Sequence, residues 1–228
     1  RQVLLRLGLF ERFEEEPEAV IALLHESTLA EMSPPRLFAL AEYAELLAER
    51  SGSRRWHLAA ALYAYAYLFP DDGGPERPDP LDARFRMAAA IYNRALATAL
   101  VEDARLRSPD ALALPPFVGR LGVAFDEDQL LWAGRRLEEF VPASTLEVRG
   151  LRNRYVRHGI GASFAVSTRV LEGEQQAPEN ALVADRMRLP VAVFLRFEDP
   201  HAALRAGECT ARLEIYNSRD DDAIDVAG

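Results

Sequence analysis

The chain has no lysine, and all 27 of its basic residues are arginine. It also has one cysteine, three methionines and two tryptophans in 228 residues, and no run approaches the roughly 20 apolar residues of a membrane span. Each shortage excludes something. The single Cys209 cannot close an internal disulfide, and its alternating, strand-like surroundings suit a small buried thiol. A lysine-free, alanine-rich composition goes with a GC-rich genome, so the arginine count is background rather than selected chemistry. Positive charge is the minority sign, with 36 acidic residues giving a net charge of −9 and a pI near 5.1. Nucleic acid and anionic membranes are therefore not expected partners, because both are held by clustered cations. A hydrophobic content of 49% supports a packed core and argues against a disordered chain. No signal-peptide pattern is expected within these residues. The sequence begins at Arg1 and ends at Gly228 just after a strand-like segment, so both ends are expected to be cut. Localisation stays open between cytoplasm and cell envelope.

What is there falls into two kinds of periodicity. The opening stretch to Phe13 is amphipathic, with Val3, Leu4, Leu7 and Phe10 on one side. Pro17 then reads as a first-turn residue of a helix carrying Val20, Ile21, Leu24 and Leu29. Ser33 caps a second helix whose stripe is Leu37, Leu40, Ala41, Ala44, Leu47 and Ala48, and Gly52 ends it. Ser53 opens a third. Trp56 to Phe69 is apolar nearly all round, the mark of a helix buried between neighbours. After a loop reaching Pro80, Leu81 to Glu102 is predicted as the longest helix, with Tyr92 and Leu96 inward and Arg94 outward. Small alanine faces on consecutive helices resemble paired-helix arrays of the tetratricopeptide type, without a clean 34-residue repeat.

After Ser108 the pattern alternates, and Pro115-Pro116 marks a boundary, giving a helical domain over 1–112 and a β-rich domain over 117–228. Strands are predicted at 121–125, 130–140 with a turn at Ala133-Gly134, 146–148, 163–171, 189–197, 209–216 and 223–226, with a short helix at 200–206. The fold class is α+β, a helical region followed by an antiparallel β-sandwich-like or barrel-like sheet.

No catalytic centre is legible. None of His25, His57, His158 and His201 has a partner at a metal-binding spacing, and His25-Glu26 fails as a zincin start because position 29 is leucine. Gly161-Ala162-Ser163-Phe164-Ala165 approaches a nucleophile elbow, but the last glycine is replaced and a strand rather than a helix follows Ser163. His158-Gly159 supplies no βα unit before that serine. Asp220-Asp221-Asp222 lacks the spacing of a calcium loop. Catalytic, metal and cofactor assignments are all none. The densest basic run holds Arg149, Arg152, Arg154 and Arg157; arginine forks could clamp a phosphate or carboxylate ligand, and the favoured reading is an interface to the acidic helical half (Glu14 to Glu16, Glu42, Glu45, Glu49).

Taken in order, Arg6-Leu7-Gly8-Leu9-Phe10-Glu11-Arg12-Phe13-Glu14 with Val20-Ile21 and Leu24-His25, then Leu146-Glu147-Val148-Arg149-Gly150-Leu151-Arg152-Asn153-Arg154-Tyr155, then Pro190-Val191-Ala192-Val193-Phe194-Leu195-Arg196-Phe197, resemble the front region of large bacterial proteins whose back half is an α/β-hydrolase of the esterase/lipase type. The resemblance implies a non-catalytic accessory part, with nucleophile, acid and histidine beyond residue 228 and the hydrolase domain or another protein as partner. The alternative is a stand-alone helical interaction module.

Overall fold

The computed structural model describes residues 8, 11–72, 77–146, 159–171 and 188–217. Its first half is helical: α1 (Arg12–Glu15), α2 (Pro17–Ala30), α3 (Pro34–Ser51), α4 (Arg54–Leu68) and α5 (Ala83–Leu100). Pro17 and Pro34 occupy first-turn positions, where the missing N–H costs nothing and φ is preset. Ser33 and Ser53 stand at the N-cap positions with extended backbone, yet neither side chain makes a capping hydrogen bond. Gly52 ends α3 at φ 67, a left-handed conformation that favours a residue without Cβ. The predicted α3 stripe is buried throughout, and α4 is buried on every side from Trp56 to Leu68.

The helix expected over 81–102 is shorter than predicted and equals α3 at 18 residues. Asp82 starts it by accepting from the Arg84 backbone N–H. Val101–Glu102 leaves it as β1, pairing with β2 (Arg105–Leu106) through a turn at Asp103 and Ala104, whose φ values are 48 and 59. Two positive φ angles ordinarily call for Gly or Asn. Asp103 suits the first of them, as in Asp-Gly turns, but Ala104 stands where glycine is expected, so the hairpin's local signal is incomplete.

The strands that follow are β3 (Arg120–Phe125), β4 (Leu131–Trp132), β5 (Arg135–Pro142), β6 (Ala162–Val170), β7 (Leu189–Phe197) and β8 (Glu208–Asn217), with helix α6 (Pro200–Ala206) between the last two. They form one sheet in the order β3-β8-β7-β6-β5-β4, antiparallel except where β3 joins β8 in parallel. The fold class is thus α+β, with the helical region preceding the strands. The alternation predicts an antiparallel sandwich-like region; apart from the two-stranded β1–β2 sheet, the described strands make one mixed six-stranded sheet, and its buried side chains pack with those of the helices. Phe164 and Val166 of β6, Val193 and Leu195 of β7 and Leu213 of β8 point inward and join the buried helical side chains in one core. Aromatic edges seal the seam, with Tyr65 of α4 5.3 Å from Phe197.

The segment on which the periodicity changes is itself packed. Leu112, Leu114 and Val118 are buried, and the Phe117 ring stands 5.6 Å from His25 and 5.7 Å from Trp56. Leu146, expected in a strand, follows a single 3-10 turn (Ala143–Thr145). The remainder of that strand, the one at 223–226, the start of the N-terminal amphipathic stretch and the acidic triplet at 220–222 lie outside the described residues.

Candidate functional site

Three consecutive residues of α5 face in different directions, Tyr92 buried, Asn93 half-buried and Arg94 exposed. The Tyr92 hydroxyl donates to the Leu195 carbonyl at 2.9 Å and accepts from the Leu195 N–H at 3.0 Å. The β6–β7 ladder ends at the Ala162–Val193 pair, so two residues further on β7 has no strand neighbour on that side. The phenol takes the place of the missing strand. Tyr92 is wholly buried, and desolvation pushes its ionisation upward, leaving it a neutral donor and acceptor. Asn93 does the same for the start of β6. Its amide nitrogen donates to the Gly159 carbonyl at 2.8 Å and its oxygen accepts from the Gly161 N–H at 2.7 Å. Gly161 sits at φ 127 with the Phe194 ring where a Cβ would lie, 2.6 Å away, so a side chain there is excluded.

Arg94 turns the other way, towards α3. Its Nε lies 2.8 Å from Glu45 Oε1, and His57 Nδ1 of α4 lies 2.9 Å from Glu45 Oε2. The Glu45 side chain is 3% exposed while Arg94 is 56% exposed. A carboxylate that deep is tolerable only with hydrogen-bonding partners on both oxygens, and α4 and α5 each supply one. Arg94 also reaches Glu49 at 3.3 Å.

Glu45, Glu49 and Arg94 line an open groove of about 440 Å³ between α3 and α5. Glu42, Glu45 and Glu49 stand on one face of α3 at i, i+3 and i+7, with Arg94 the one guanidinium in the lining and Arg84 acting on Glu42 from outside it. Leu46, Met87 and Ile91 provide its apolar surface, and Met87 remains 47% exposed. Burial raises the Glu42 carboxyl above its ordinary value, which marks the groove as partly desolvated.

The residues singled out in the sequence are dispersed. His25 is buried and its Nδ1 meets the Tyr63 hydroxyl at 3.0 Å, where desolvation lowers the imidazole pKa. Cys209 faces the core, its thiol pushed up to about 11 by burial, so it is a poor nucleophile. Ser163 stands within β6 opposite Ala192, in ladder rather than elbow geometry. His201 is a buried residue of α6, and its Nε2 meets the Ala66 carbonyl at 2.7 Å. His158 and the four interface arginines Arg149, Arg152, Arg154 and Arg157 lie outside the described residues. Among the described residues no three His, Cys, Asp or Glu side chains converge as a metal site would require, and no helix is long and apolar enough to cross a membrane.

Sequence reasoning treats Glu45 as one more surface acid, although two signals mark it. It falls four residues after Ala41 and three before Ala48 on the buried stripe, and His57 interrupts an otherwise apolar helix. A titratable residue inside such a helix needs a partner.

The chain matches no family model, no curated protein and no solved structure.

Proposed function

We propose that the chain is a non-catalytic interaction module whose α3–α5 groove receives a basic, apolar-flanked segment of a protein partner. The observation that carries this is the groove itself, lined by three carboxylates and one guanidinium beside exposed Met87, since a partner cation meets an excess of acids there and methionine adapts to varied side chains. An accessory role beside an esterase/lipase-type hydrolase domain, drawn from the family resemblance, is the same activity with its partner specified. In either case the partner is protein rather than nucleic acid. The arginines of 149–157 belong to this proposal as a second interface, pairing with acidic surface of the chain or of its partner.

Fluorescence anisotropy with an amphipathic Arg/Leu peptide and its Glu/Leu counterpart tests the groove. The Arg/Leu peptide binds, the acidic one does not, and Glu49→Arg weakens binding about tenfold, because a like charge then faces the ligand. Equal binding by the wild type and Glu49→Arg would remove the groove from the account. Charge reversal at Arg152 and Arg154 lowers the melting temperature without affecting retention of DNA in a low-salt gel. For the non-catalytic half of the proposal, aryl-ester hydrolysis that disappears in Ser163→Ala would overturn it.

A further inference from the structure

The groove between α3 and α5 lies beside the point at which the chain enters the fold. Phe13 of α1 is buried with its ring 4.7 Å from that of Tyr43, and Tyr43 also lines the groove. Glu14 meets Arg50 at 3.3 Å, so α1 is seated along α3. The chain ahead of α1 therefore leaves the fold within reach of the groove wall. Ten extended residues span up to about 33 Å, whereas Glu42 and Glu49 stand roughly 10 Å apart along α3. Length sets no limit on contact.

The three acids of the groove are unequally matched. Glu45 and Glu49 share Arg94, and Glu45 has His57 besides. Glu42 is half-buried next to Tyr43, yet it makes no hydrogen bond or ion pair among the described residues, and Arg84 acts on it only at longer range. Such a carboxylate has lost hydration that nothing replaces.

The opening residues Arg1 to Phe10 carry two arginines and no acid. At helical spacing Val3, Leu4 and Leu7 share one side, and Arg1 and Arg6 border it. Residues 1–7, 9 and 10 lie outside the described residues. Their sequence complements the groove twice over, with an apolar row for Leu46, Met87 and Ile91 and a cation for Glu42.

We propose that the groove's first occupant is this opening segment of the same chain, with Leu4 and Leu7 on the wall of Met87 and Ile91 and Arg6 at Glu42. Resting on the groove's role as a recognition site, the proposal adds its regulation: the segment competes in cis with a partner's basic peptide. A short tether supplies an effective concentration in the millimolar range, so a partner must displace the segment to bind. Glu49, at the far end, stays available to that partner.

Disulfide trapping in the full chain reads the docking directly. Under mild oxidation Leu4→Cys/Met87→Cys forms an intramolecular crosslink in nearly every molecule, found by peptide mapping, because docking brings the two thiols within bonding range. Leu5→Cys/Met87→Cys has the same reach but is turned from the apolar side, and it forms little. Cys209 is 2% exposed and takes no part. Competition is read by anisotropy with the Arg/Leu peptide. Leu4→Asp/Leu7→Asp, altered only ahead of α1, binds it about tenfold more tightly than the wild type, as a segment docked about nine-tenths of the time requires. Equal yields from the two cysteine pairs would overturn the proposal whatever the peptide does. So would equal, measurable peptide affinity of the wild type and Leu4→Asp/Leu7→Asp, or a gain confined to Arg152→Glu/Arg154→Glu, which would seat the other arginine-rich run in the groove. If the Leu4→Cys crosslink forms selectively and the peptide binds no form of the chain, the segment docks as proposed, and it is the groove's role towards an outside partner that fails.

Discussion

The two flanks of α5 solve the problem of buried polarity in opposite ways. On the sheet side, Tyr92 and Asn93 are neutral, and their four hydrogen bonds replace backbone bonds that strands β6 and β7 cannot make for themselves. On the α3 side, Arg94 and Glu45 are charged, and the gap above them is left open as a groove. A closed neutral seam contributes stability and offers no partner anything to exchange. An open charged seam gives up some of that stability and keeps carboxylates available for a cation from outside. The contrast assigns the sheet side of α5 to the fold and the α3 side to recognition.

Breaking the closed seam has the largest expected effect. Tyr92→Phe keeps the ring and strands both polar groups of Leu195 in the core, and each unsatisfied buried group costs about 1–3 kcal/mol. Urea denaturation should show a loss of about 3 kcal/mol with an unchanged m-value; a loss below about 1 kcal/mol means that water reaches Leu195 and the seam is not closed. Glu45→Ala comes next, at about 2 kcal/mol. Arg94 is half exposed and can return to water, so the loss stays below the about 3–5 kcal/mol of breaking a wholly buried ion pair, and what remains is chiefly the buried His57 Nδ1 left without its acceptor.

The smallest effect sharpens the comparison by titrating a second neutral contact, His25 with Tyr63. Burial depresses the imidazole pKa below its ordinary 6.5, so below pH 6.5 the unfolded chain binds a proton that the folded chain resists. The His25 contribution is therefore complete above pH 6.5 and is lost as the pH falls from there through the folded value. The stability difference between the wild type and His25→Gln should shrink across that window in paired urea melts. A difference that is constant with pH would mean His25 titrates alike in both states.

How much of this was legible in the sequence depends on distance along the chain. The all-apolar run at 56–69, the Gly52 stop, and the bounds of β7 and α6 follow from periodicity and from single residues with one conformational meaning. The seam does not, because Tyr92 finds Leu195 across 103 positions and Asn93 finds Gly161 across 68. Nothing local in Ile91-Tyr92-Asn93-Arg94 says which strand is short of a partner. The β1–β2 hairpin was hidden for a different reason, since Ala104 adopts a left-handed angle where glycine is the residue that announces it, leaving Asp103 as the sole local sign. The acids of the groove were visible as a set, but three acidic side chains on a helix read as solvated surface until the position of α5 encloses them.

The central claim, that α5 divides fold from recognition, is tested most directly by titrating the labelled Arg/Leu peptide against the wild type, Asn93→Ala and Glu49→Arg, with the melting temperature of each measured in the same buffer. Asn93→Ala should melt lower, by about 1 kcal/mol for its lost hydrogen bonds, yet bind the peptide as the wild type does. Glu49→Arg should melt with the wild type and bind about tenfold more weakly. If affinity instead follows stability, with Asn93→Ala losing as much binding as Glu49→Arg, the two flanks act as one unit and the division is wrong.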